Sequence, residues 1–196
     1  MYRASHAFQE PALFIQTEAT PNPATLKFLP GRPVIEAGTF EARDAAEAER
    51  SPLAKALMEL PGVTGVFLAP DFISVTKSDA EWRHLRPAVL GVVTEFFLSG
   101  APALSGPAAA ADEEFFHAED AETVETIKEL IDTRVRPAVA GDGGDITFKG
   151  FRDGVVYLGM KGACSGCPSS TATLKHGIEN LLKHFLPEAV KAVEQI

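Results

Sequence analysis

The stretch DITFKGFRDGVVYLGMKGACSGCPSSTATLKHGIENLLKHF, residues 145–185, decides the fold of this chain. Asp145–Gly150 and Val155–Met160 predict two antiparallel strands. Arg152-Asp153-Gly154 between them is a natural hairpin turn, because Asp and Gly tolerate the left-handed backbone that tight loops demand. The loop Gly162-Ala163-Cys164-Ser165-Gly166-Cys167-Pro168 then leads into a helix, with Leu174, Ile178, Leu181 and Phe185 on the side expected to be buried. Pro168 suits the first helical turn, where a missing N–H costs nothing. Ala189–Ile196 reads as a final short strand.

Upstream, Val124, Ile127, Ile131 and Val135 recur as one helical stripe, with Pro137 expected to end that helix and AGDGGD (140–145) to follow as a glycine-rich loop. Residues 99–120 are rich in Ala, Pro, Gly and acids and show no period, so they predict an acidic Ala/Pro-rich linker, with Phe115 and Phe116 read as loose aromatics within it ahead of the alternative that they dock on a domain.

The first half mixes both element types. Leu13–Thr17 and Thr25–Leu29 predict strands around the turn-rich Thr20–Pro23, and Ser51-Pro52 predicts a helix start before Leu53, Leu57 and Leu60. Glu41–Arg50 reads as a polar, Ala-rich stretch. Val63–Leu68 and Phe72–Thr76 form an expected hairpin around Ala69-Pro70-Asp71. Asp79 to about Leu98 predicts a helix that buries Trp82, Leu85, Val89, Val93 and Phe96-Phe97. The class is α+β: two small mixed domains, at 12–98 and 121–196, joined by the linker at 99–120.

Composition narrows the function. Of 196 residues, 45% are hydrophobic and the net charge is −9, which is ordinary for a globular chain and shows no basic cluster for nucleic acid. No apolar run approaches the roughly 20 residues that span a bilayer, and the first dozen residues lack the apolar core of a secretory signal. The expectation is an intracellular protein, cytoplasmic in a bacterium or in the mitochondrial matrix of a eukaryote. The chain holds only 2 cysteines, three positions apart, which points to reactivity or metal rather than to a disulfide framework.

Cys164 and Cys167 in a tight turn can reach one metal centre together. Gly162 and Gly166 let the backbone curl around the sulfurs, and a helix N-terminus, with Lys161 nearby, is expected to favour the metal-binding thiolate. Iron–sulfur clusters and structural zinc typically take four ligands, and one chain brings two thiols. His176, the histidine nearest in sequence, lies roughly two turns up the helix. A second copy across a two-fold axis is the simplest completion. Three readings fit the spacing: metal or cluster binding, thiol–disulfide exchange, and inert structure.

Two motifs in order narrow that choice. Arg136-Pro137-Ala138-Val139-Ala140-Gly141-Asp142-Gly143-Gly144-Asp145 and Gly162-Ala163-Cys164-Ser165-Gly166-Cys167-Pro168-Ser169-Ser170 closely resemble the C-terminal domain of NifU/Nfu iron–sulfur scaffold proteins, over about residues 121–196. Thr20-Pro21-Asn22-Pro23 followed by Leu26-Lys27-Phe28 resembles the N-terminal domain of Nfu proteins. The resemblance implies a 4Fe–4S cluster bridging two subunits, with Cys164 and Cys167 of each chain as its ligands, passed on to apo iron–sulfur proteins. It implies a homodimer on cluster binding, contact with upstream cluster-assembly proteins, and a partner-engaging role for the first domain. A carrier of this kind is not an enzyme. The competing class is a thiol–disulfide oxidoreductase using the same pair.

Other candidates read more plainly. Asp142 and Asp145 suit turn and capping roles, since the calcium-loop pattern is absent. Gly141, Gly143 and Gly144 lack the phosphate-loop signature, and His176 reads as a solvated helical residue. Thr20–Pro23 reads equally as a rigid turn or as a partner-docking loop.

Overall fold

The computed structural model describes residues 14–106, 114–165 and 168–196. Strands β1 (Gln16–Ala19), β2 (Thr25–Leu29) and β3 (Phe40–Ala42) precede two short helices, α1 (Ala45–Ala48) and α2 (Pro52–Met58). Strands β4 (Val63–Leu68) and β5 (Ile73–Lys77) follow, and helix α3 (Trp82–Ser99) closes the first unit. The strands form one antiparallel sheet in the order β1-β2-β5-β4-β3. Thr20–Pro23 turns β1 into β2, as expected, although Leu13 lies outside the described residues.

Ser51 starts α2 as the sequence predicts. Its Oγ accepts from the Ala54 N–H at 3.0 Å, and Pro52 follows in the first turn. The same hydroxyl donates to the Ala103 carbonyl at 2.5 Å, so the stretch after α3 is tied back onto this unit. Leu53 and Leu57 of α2, and Leu85, Val89 and Val93 of α3, bury against Phe28, Val66, Ile73 and Val75 of the sheet. Strand β3 was not anticipated. Its two buried residues, Phe40 and Ala42, are too few to show a period, and pairing with β4 makes it a strand.

In the second unit a short turn (Ala118–Asp120) leads into helix α4 (Ala121–Leu130). A π-helical turn (Ile131–Val135) and helix α5 (Arg136–Gly141) continue it. Pro137 therefore does not end the helix. It sits in the first turn of α5, where no N–H is needed, and the wide π turn accommodates its ring. The stripe Val124, Ile127, Ile131 and Val135 is buried as expected.

Strands β6 (Gly144–Arg152) and β7 (Val155–Gly162) form the hairpin, helix α6 (Pro168–Phe185) follows, and β8 (Ala192–Gln195) ends the chain. The sheet order is β6-β7-β8, antiparallel across the hairpin and parallel between β7 and β8. Asp153 and Gly154 both take positive φ, 54° and 83°, the geometry of a tight primed turn. On α6, Ile178 is buried as expected, but Leu182 fills the core and Phe185 stays 44% exposed.

Phe115 is also corrected. It is not a loose linker residue: its backbone bonds Lys149 and Phe151 on the β6 edge, and its ring stacks 5.2 Å from Tyr157. A Cβ at Gly150 would stand 2.5 Å from that ring, so glycine makes room for it. Among the described residues, no helix is long and apolar enough to cross a membrane.

Candidate functional site

The thiol loop leaves the end of β7 and enters α6. Cys164 is 7% exposed and belongs to the core of the second unit, beside Met160 and Ile178. The loop curls back on itself: the Ser165 hydroxyl and N–H both donate to the Gly162 carbonyl, and the Thr171 hydroxyl donates to the Cys164 carbonyl at 2.9 Å. Gly162 sits at φ 67°, and the strand beneath it is pressed close. A Cβ at Gly144 would lie 2.5 Å from the Lys161 carbonyl and 2.9 Å from Cys164 Sγ. Gly144 is therefore small because the thiol loop lies on it. Cys167 and Gly166 lie outside the described residues.

Asp145 is buried and occupied structurally. Its Oδ1 accepts from Arg136 Nε at 3.1 Å and from the Ile146 N–H at 2.8 Å. His176 is held by its own helix, with Nδ1 2.8 Å from the Ala172 carbonyl. Among the described residues, no three His, Cys, Asp or Glu side chains converge as a metal site.

The first unit covers this loop, a feature with no local signal in the sequence. Alternation along its strands sends Phe28, Val66, Leu68, Ile73 and Val75 into its own core. The alternate residues Lys27, Glu41, Phe67 and Ser74 point the other way, toward the second unit. Ser74 Oγ donates to the Gly143 carbonyl at 2.7 Å, and Lys27 Nζ donates to the Gly141 carbonyl at 3.2 Å. Glu41 Oε1 accepts from the Gly162 N–H at 2.8 Å. Thr39 donates to Asp145 Oδ2 at 3.1 Å. Phe67, Ala69 and Phe72 form a small apolar cluster that Ala140 joins from α5.

Thr20–Pro23 forms the rigid turn of its two anticipated alternatives. Thr20 and Asn22 lock the turn internally, and Asn22 Nδ2 reaches the carbonyl of Ala163 at 3.4 Å. That last bond ties the turn to the chain's own thiol loop.

The thiol's surroundings in the second-unit core set its chemistry. Burial pushes Cys164 up to about 11, and the carboxylates of Asp142 and Asp145 add to the rise. The expected lowering by the helix N-terminus and Lys161 is therefore not what this arrangement gives. Loss of water and two nearby negative charges outweigh it.

Comparison with known proteins agrees with both halves of this architecture. The family description "Scaffold protein Nfu/NifU N terminal" matches residues 15–100, and "NifU-like domain" matches 127–194. The Arabidopsis thaliana "NifU-like protein 5, mitochondrial" is 51% identical over 95% of this chain and 69% of its own length. The Homo sapiens "NFU1 iron-sulfur cluster scaffold homolog, mitochondrial" is 48% identical over 97% of this chain and 75% of its own. A NifU-like protein from Saccharomyces cerevisiae solved by NMR aligns with TM-score 0.44 and 23% identity, over 55% of this chain and 97% of that one. With both domain types matched in order, the chain belongs to the Nfu/NifU scaffold-protein family.

Proposed function

We propose that this chain carries an iron–sulfur cluster as cargo, holds a 4Fe–4S form between two copies, and delivers it to apo-proteins. The observation that carries the reading is Cys164 at the glycine-lined exit of β7, within the segment matching the NifU-like domain. The relatives' printed role as iron–sulfur cluster scaffolds supports it. The full ligand set comprises Cys164 and Cys167 from each chain, because 2 cysteines per chain supply half of what a cubane takes. A site shared across a two-fold axis opens when the copies part, which suits delivery.

The same proposal divides the chain into a partner-engaging domain at 12–98, a linker at 99–120 and a thiol-bearing domain at 121–196. Apo iron–sulfur proteins and upstream assembly proteins are its partners, and no substrate is turned over. The mitochondrial names of the relatives support a matrix location in a eukaryotic source. In a bacterium the location would be the cytoplasm.

Anaerobic reconstitution of the full chain with iron and sulfide tests the reading. The expected product is brown, absorbs broadly near about 400 nm, and has the mass of a dimer. Cys164→Ser and Cys167→Ser should each abolish stable loading. Monomeric loaded protein, or iron retained without either thiol, would overturn it.

A further inference from the structure

We propose that the N-terminal domain is a removable cap on the thiol loop, so that cargo loading requires the two domains to part. The inference rests on the carrier reading for its purpose, but its geometry stands apart from it. The contacts converge on 141–145 and 162–163, the two segments that cradle Cys164. Among the described residues, four of the five hydrogen bonds between side chains of the first domain and these segments engage backbone groups of the loop region. The cap therefore reads the shape of the glycine-rich backbone rather than a side chain.

Three features make the contact a cap rather than a permanent interface. Each domain already has its own core, so neither depends on the other to bury its apolar stripe. The apolar cluster between them is small: Phe67, Ala69 and Phe72, with Ala140 as the partner from the second domain. The rest is polar, and water can replace it when the domains separate. Meanwhile Glu41 holds the Gly162 N–H, a donor next to the thiol that an anionic cargo would otherwise attract. A second copy reaching Cys164 meets this same face, so capping and pairing exclude each other. Cargo that binds only the open state then draws the population toward it, and its apparent affinity falls with the closed fraction.

Alkylation of the full-length apo chain with iodoacetamide, mapped to Cys164 by peptide mass spectrometry, tests the cap without any cluster. Phe67→Asp places a charge in the contact on the outward face of β4, and Ser74→Ala removes one bond with little risk to folding. Cys164 should react roughly tenfold or more faster in Phe67→Asp and about threefold faster in Ser74→Ala, following the open fraction. Wild-type Cys164 reacting as fast as in urea-unfolded chain, or an unchanged rate in folded Ser74→Ala, would overturn the cap. Loading is read separately, as growth of absorbance near about 400 nm. Faster alkylation with no iron retained by any variant leaves the cap standing and removes the carrier reading. Normal loading with unchanged alkylation does the reverse.

Discussion

The two sheets are buried in different ways. The five-stranded sheet of the first domain has helices α2 and α3 on one face and the second domain against the other. An antiparallel sheet commonly leaves one face to water. Here Phe67 and Ser74, which alternation assigns to that face, are as buried as the core. The three-stranded sheet of the second domain instead spends its packing on its own helices and presents a loop almost without side chains. One domain brings side chains, and the other brings a thiol and bare backbone. The division explains why a domain without cysteine accompanies the one that has both: it supplies the polar groups that the glycine-rich loop cannot carry without losing its close packing.

That comparison treats the domains as separate cores with a shared, reversible contact, and it can be broken. Trp82, the 1 tryptophan of the chain, reports on the first domain. Leu158→Ala empties a fully buried site in the second core and should cost about 2–5 kcal/mol. In denaturant part of the circular-dichroism transition should move while the Trp82 fluorescence midpoint holds, and in Leu57→Ala the Trp82 midpoint should move. A Trp82 midpoint that shifts in Leu158→Ala would show one cooperative unit.

The thiol offers a smaller effect. Cys164 is raised from its ordinary 9.0 to about 11 in the folded chain, so folding favours the protonated form. The associated stability is complete below pH 9 and is lost as pH rises through 11. Roughly two units correspond to about 2–3 kcal/mol. Wild type minus Cys164→Ala, measured by urea unfolding at pH 8 and pH 11, isolates this term from other groups. The difference should shrink by about that amount toward pH 11. No change would mean that the thiol is not held dry in the folded chain.

The smallest effect sharpens the boundary between the domains. Ser51→Ala removes the α2 cap and the bond to Ala103, and should cost about 1–2 kcal/mol. The Trp82 transition should carry that loss, with the second domain unmoved.

Much of this was readable from local pattern. Thr25–Leu29 and Val63–Leu68 appear at their expected bounds, Ser51-Pro52 starts α2, and Asp153-Gly154 turns the hairpin. Each depends on residues within one turn or one strand of each other. The failures lie where distant residues decided. Pro137 stays helical because a π turn absorbs its ring, and Phe115 is held by the β6 edge and Tyr157. On α6, Leu182 rather than Phe185 is buried against the core.

The sequence by itself determined the pair of thiols, the glycines around them and the family to which they belong. These are local or motif properties, carried by spacing alone. Only the tertiary structure decided that Asn22, Glu41 and Ser74 bond the backbone of Ala163, Gly162 and Gly143, and that burial beside Asp142 and Asp145 raises the Cys164 pKa. Desolvation and Coulomb terms depend on which surfaces meet, and residues 141 positions apart in the chain have no local signal that they will.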